Sequence, residues 1–222
     1  MSAYGAIERS GRQGVTLPST IWSGKSRNDL SARVTIHHLT LETAQVLPGL
    51  LEHLALVFAK EVDDGRTYPQ EGSIDSASFR SYFFAADVLV AVKLDDEGSE
   101  QDGAEIGIGI EEARRQRLWE DCVAGFYYIC NAGFVVPPVH RGSGYGSLLA
   151  KSYLYYAPRL GYKASVFNLV YVNNVASVKL WERLGFTKAG RIPHAGRLKT
   201  PDGKGEEYMD AWVIYKSFEE TG

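Results

Sequence analysis

The hexapeptide Arg141-Gly142-Ser143-Gly144-Tyr145-Gly146 lies between an apolar, strand-like run and an apolar stretch of helical periodicity. A loop that opens a helix carries backbone N–H groups with no intrahelical acceptor, and these converge with the positive end of the helix dipole. The natural guest of such a place is an anion. Without Cβ atoms at Gly142, Gly144 and Gly146 the backbone can approach phosphate oxygens closely, and Arg141 adds a fork of donors. That suits a pyrophosphate. The same glycines also suit a tight strand-to-helix turn that binds nothing.

Two familiar phosphate loops can be tested against the spacing. A Walker loop closes on Gly-Lys followed by Ser or Thr, whereas here Ser147 follows Gly146 and the next lysine is Lys151. Mg-nucleotide chemistry therefore lacks its central cation. A dinucleotide loop wants a third glycine three residues after the second and an acid about twenty residues on. The following strand, Ala164 to Val172, carries no acid.

The elements that must position this loop can be read from periodicity. Residues 1–30 are rich in Ser, Gly, Arg and Asn without a repeat, and are expected to be a mobile tail, with order starting near Arg33. Val34 and Ile36 alternate with polar neighbours as a short strand. Leu47, Leu50, Leu51, Leu54, Val57 and Phe58 recur at helical spacing, with Pro48 in the first turn and Gly65 past the end. A loop over 67–72, a short helix from Asp75 to Tyr82 and a buried strand from Val88 to Leu94 follow. Asp95 to Glu105 holds six acids in eleven residues and reads as a solvated loop without function. Glu111 to Glu120 reads as one charged surface helix, and Cys122 to Val136 as strand. After the glycine loop come a helix to Ala157, a strand from Ala164 to Val172, a helix from Val175 to Leu184 and a last strand near Tyr208 to Tyr215. No repeat and no linker divides the chain, so one α/β or α+β domain over 31–219 is expected.

Composition narrows the function classes. A chain of 222 residues with 45% hydrophobic and 12% aromatic content can bury a real core. Its net charge of -3 leaves no basic footprint, which argues against nucleic acid as a partner. Cys122 and Cys130 are too few for a disulfide scaffold or a thiolate metal site, so no metal is expected. No stretch approaches the roughly 18 apolar residues of a membrane span, and a cytoplasmic protein with no membrane partner is the expectation. Cys130 reads as a small buried hydrophobe, not a nucleophile.

The spacing Arg141-x-x-Gly144-x-Gly146 after a strand resembles the acyl-CoA pyrophosphate loop of the GNAT superfamily of N-acetyltransferases. A second stretch resembles that superfamily too: Asn174-Val-Ala176-Ser-Val-Lys-Leu180-Trp181-Glu-Arg-Leu184-Gly185-Phe186, an Asn-led helix ending in Leu-Gly-Phe. The strings Gly-Arg-Thr-Tyr-Pro-Gln (65–70), Cys-Asn-Ala-Gly-Phe (130–134), Ala-Pro-Arg-Leu-Gly-Tyr (157–162), Phe-Asn-Leu-Val-Tyr-Val (167–172) and Pro-His-Ala-Gly (193–196) look like the fungal acetyltransferases that detoxify proline analogues.

The resemblance implies a GNAT fold, an α+β arrangement with a mixed central sheet flanked by helices. It also implies acetyl-CoA as cosubstrate, acetyl transfer to the ring nitrogen of a small imino acid such as azetidine-2-carboxylate, and a link to oxidative-stress tolerance. By the same resemblance Phe134, Val135 and Val136 pair with the pantetheine arm, and Arg141, Gly142, Ser143, Gly144, Tyr145 and Gly146 hold the pyrophosphate. Asn174 would contact CoA, and Asn131 and Asn168 would line the acceptor pocket. On residue type alone Asn131 also suits a turn before Ala132-Gly133. Asn168 is a poor choice for mid-strand unless something pairs with it. Trp181 stands where many family members have a tyrosine that protonates the departing thiolate. Glu71, His38 and Asp210 are candidate bases that also suit surface or structural places.

The pattern breaks in one place. Family members usually carry a polar, proline-containing connection between two strands where this chain runs from Gly125-Phe126-Tyr127-Tyr128-Ile129 straight into Cys130-Asn131-Ala132-Gly133-Phe134. Whether 126–134 is one strand or two therefore decides whether Asn131 can serve the acceptor. The rival readings are a GNAT for another amine or a protein N-terminus, and a silent acyl-CoA binder. A homodimer would fit the aromatic-rich sheet.

Overall fold

The computed structural model of the protein describes residues 15–25, 31–68, 74–95, 98–129 and 133–219. Six strands form one sheet: β1 (Ser19–Lys25), β2 (Ser31–Leu39), β3 (Val88–Lys93), β4 (Ala104–Ile106), β5 (Val123–Tyr128) and β6 (Phe134–Val135), in the order β4-β1-β2-β3-β5-β6. Three more, β7 (Ala164–Tyr171), β8 (Thr187–Lys199) and β9 (Glu206–Ser217), form a second sheet in the order β7-β9-β8. Every ladder among the described residues is antiparallel.

Helices cover both faces. α1 (Leu41–Gln45), α2 (Leu50–Asp64), α3 (Ser76–Phe83), α4 (Ile110–Arg114) and α5 (Trp119–Cys122) pack on one side. α6 (Tyr145–Arg159) and α7 (Val175–Arg183) pack on the other. This explains the unbroken apolar run of β3: Val88, Val90 and Val92 face the first core, and Leu89 and Ala91 face the second. Local signals end the helices as expected, with Gly65 left-handed after α2 and the Asp75 carboxylate capping α3 through Ser78 N–H at 2.7 Å.

Residues 19–25 are not part of a mobile tail. β1 lies between β2 and β4 with Ile21 and Trp22 buried, and Thr20 Oγ1 meets Tyr156 Oη of α6 at 2.9 Å. The predicted helix over 111–120 is two short pieces, because Arg115 and Gln116 take left-handed backbone between α4 and α5. The acidic loop is not merely solvated. Glu100 binds the buried Arg33 at 2.5 Å, Asp95 binds Arg117 at 2.7 Å, and Asp102 binds Lys151 at 3.0 Å and the Ser23 N–H at 2.8 Å. An arginine in a buried strand needs such a partner. β8, unread in the sequence, runs for 13 residues.

The stretch 126–134 is two strands. Phe126 pairs with Val135 and Tyr127 with Phe134, so the chain reverses between β5 and β6 despite the shortened connection. Gly125 permits the pairing: a Cβ there would sit 2.7 Å from the Val135 carbonyl oxygen and 2.8 Å from Leu149.

Candidate active site

The glycine loop opens α6 as its spacing predicts. A short 3₁₀ turn, Pro138–His140, brings the chain round from β6. Gly142 and Gly144 then take φ of 79° and 87°, and Gly144 is the N-cap of the 15-residue α6. Only glycine adopts that backbone without strain. The Gly144 carbonyl accepts the Ser147 N–H at 3.0 Å, whereas the N–H groups of residues 142–146 have no acceptor among the described residues. No acid occupies the first turn, and added Cβ atoms at Gly142 and Gly146 would meet only open space. A row of donors at a positive helix end, unpaired among the described residues, has the chemistry to receive an anion.

Arg141 is placed differently from the sequence expectation. Its guanidinium binds the Glu61 carboxylate of α2, and its Nε donates to the Val136 carbonyl at 3.3 Å. Glu61, buried, also accepts from Thr67 Oγ1. Arg141 thus braces the loop against α2 and the end of β6, while its fork stays half-exposed.

β6 is the edge of the large sheet and β7 the edge of the small one, and no ladder joins them among the described residues. Rings fill the space between. Phe134 stacks on Tyr127 at 4.9 Å and meets Trp181 at 5.0 Å and Phe167 at 6.1 Å. Trp181 is buried against Phe167 and Phe186, so its task here is packing. Val135 is buried, and Val136 is half-buried beside the loop.

Asn131 lies outside the described residues, as do Glu71 and Cys130. Asn168 sits half-buried at a bulge, where β7 spends three steps (Phe167 to Val170) against two on β9 (Ile214 to Trp212). A bulge changes which way a strand residue is aimed, so a polar amide at mid-strand need not lie in the regular alternation. Asn174 caps α7, its Oδ1 accepting the Ser177 N–H at 3.2 Å. His38 is withdrawn from base duty: buried, it bonds Asp87 through Nε2 at 2.6 Å and accepts the Leu17 N–H on Nδ1 at 2.8 Å. Asp210 pairs with Arg191 at 2.8 Å, and the His194 N–H holds its carboxyl below the usual range.

Sequence reasoning missed a group of tyrosines around Gly133. A Cβ on Gly133 would lie 2.6 Å from both the Tyr128 ring and Tyr68 Oη, and Tyr82 Oη meets Tyr128 Oη at 3.0 Å. Burial first, then the neighbouring Tyr82 and Glu61, pushes the Tyr68 phenol well up, keeping it a neutral donor. Also missed was a latch: Lys199 N–H of β8 donates to the Gly65 carbonyl at 2.9 Å, and Arg66 donates to the Pro201 carbonyl at 3.2 Å. It fastens the β8–β9 hairpin to the end of α2. These contacts join residues about 135 positions apart, and no local pattern marks them.

Comparison with known proteins gives this geometry a family. The model of the acetyltransferase (GNAT) family matches residues 90–186. N-acetyltransferase aca1 of Schizosaccharomyces pombe is 38% identical over 180 residues, covering 76% of this chain and 80% of that protein. A GCN5-related N-acetyltransferase from Kribbella flavida has the same fold with a TM-score of 0.58 at 22% identity, over 82% of this chain and 97% of that one. An acetyltransferase from Salmonella typhimurium, solved with its cofactor acetyl-CoA, follows at 0.55 and 17%, over 85% and 96%. With the glycine loop at the start of α6, a family model over residues 90–186 and a relative of this identity, the chain belongs to the GNAT family and is an N-acetyltransferase.

Proposed function

We propose that the protein transfers acetyl from acetyl-CoA to the ring nitrogen of a small imino acid, azetidine-2-carboxylate or a hydroxyproline, by direct attack with both substrates bound. The observation that carries the cosubstrate is the run of N–H groups at residues 142–146, unpaired among the described residues, beside the unlinked edges of β6 and β7. This donor set fits a diphosphate followed by an extended amide-bearing arm. The loop would take the diphosphate, the edge of Phe134, Val135 and Val136 would offer main-chain partners to the arm, and Asn174 would contact the coenzyme. The Salmonella typhimurium neighbour's cofactor supports this choice.

Acetyl-CoA, when bound, supplies an already activated carbonyl, so the chain's own task is orientation and polarisation. Asn168, at the bulge of β7, and Asn131 are proposed to line the acceptor pocket, where an amide donates to a carboxylate and accepts from an ammonium. The role that follows is detoxification of proline analogues under oxidative stress, in the cytoplasm, by a monomer or homodimer.

The test incubates the protein with acetyl-CoA and azetidine-2-carboxylate, cis-4-hydroxyproline or a panel of other amines, and measures free thiol. Release that requires an imino acid is expected. Release only with other amines or peptide N-termini moves the substrate class, and coenzyme A binding with no turnover makes the protein a silent binder.

A further inference from the structure

Tyr171 ends β7 and is buried, yet its hydroxyl has no hydrogen-bond partner among the described residues. A buried phenol without a partner is destabilising in a way that phenylalanine would avoid. The ring faces away from α7. Phe167 and Val170 of β7 pack with Val178 and Trp181, whereas Tyr171 packs with Leu198 and Ala211, flanked by Leu169, Ala195 and Met209. The hydroxyl points at Gly196 of β8, and a Cβ on Gly196 would overlap it. The glycine makes the room that the oxygen occupies.

The wall around this oxygen is built. Between Ile192 and Gly196 β8 advances four residues against two on β9, throwing Pro193, His194 and Ala195 out of the ladder. His194 takes φ of 49°, and its N–H is held by Asp210 Oδ1 at 2.8 Å, which in turn is held by Arg191 at 2.9 Å to the other oxygen. Bulges of this kind re-aim chain next to active sites. Tyr171 is three residues along β7 from Asn168, about 10 Å at the rise of a strand. The same hairpin is latched to α2, which leads into Thr67 and Tyr68.

We propose that Tyr171 Oη is a specificity-determining donor of the acceptor site, and that it meets the carboxylate of the acceptor amino or imino acid. This rests on the reading of the protein as an acetyltransferase for such acids. Burial pushes the Tyr171 phenol up, so it stays protonated and donates across the working range. A neutral donor suits a carboxylate that arrives carrying its own ammonium.

The experiment compares wild type with Tyr171→Phe, using free-thiol release with azetidine-2-carboxylate and with azetidine, which lacks the carboxylate. The variant should raise the KM for azetidine-2-carboxylate about 10- to 100-fold. It should leave the KM for acetyl-CoA unchanged and lower the preference for azetidine-2-carboxylate over azetidine by the same factor. Its Tm without substrate should equal or exceed the wild-type value, because no folded-state bond is lost. An unchanged preference overturns the assignment, and so does a lowered Tm, which would show a structural partner. A wild type active on imino acids whose variant behaves identically refutes Tyr171 alone. A wild type inactive with every amine refutes the acetyltransferase reading, and the assignment with it.

Discussion

Gly144 and Gly146 sit two residues apart in the loop and answer substitution oppositely. Gly144 has a φ of 87°, so Gly144→Ala should lower stability by about 1–2 kcal/mol. Gly146 is in ordinary helix with open space where its Cβ would go. Gly146→Ala should therefore raise stability by about 0.5–1 kcal/mol. That same methyl would occupy the ground proposed for the diphosphate, so coenzyme A should bind more weakly although the protein is more stable. Urea midpoints and calorimetry with coenzyme A read the two effects separately. The loop itself was legible because glycine spacing is a local signal. Arg141 was not, since the acid that binds it, Glu61, lies 80 residues earlier. Trp181 was seen as a departure from a tyrosine, but only packing shows it walled in by rings.

At the level of elements, β2 carries a titrating weakness. His37 is buried, with Nδ1 bonded to Ser19 Oγ of β1 at 2.8 Å and Nε2 to Thr35 Oγ1 at 2.8 Å. Burial depresses its pKa to about 4. The unfolded chain takes up this proton near pH 6.5 and the folded one only near 4, so the contribution is whole above 6.5 and is lost as pH falls between them. The loss is on the order of 3 kcal/mol. His53 and His140, also lowered by burial, add in the same direction. Urea midpoints from pH 7.5 to 4.5 should fall, and His37→Gln should flatten the slope. Elements with full periodicity, such as α2, β3, α6 and α7, were readable. β1 was not, because in Ser-Thr-Ile-Trp-Ser-Gly-Lys only two adjacent residues are apolar. β8 was not either, since nearly all of its residues are exposed and Gly190, Pro193 and Gly196 interrupt it.

Across the whole molecule, the two ends of the described chain are structural. Trp22 of β1 sits among α6 side chains in the main core, its ring edge-on to Tyr155 at 6.0 Å. Trp22→Ala should cost about 3–5 kcal/mol, measured by chemical unfolding, where a mobile tail would cost nothing. At the other end the β8–β9 hairpin is carried to α2 by the Lys199 to Gly65 bond.

A strand ladder resists insertion, because a guest must break one bond for each that it makes. Among the described residues no ladder laces the margins of β6 and β7 together. The extended arm proposed for this cleft would then gather main-chain partners on entry without breaking a described ladder bond, and its departure would leave both sheets as they were.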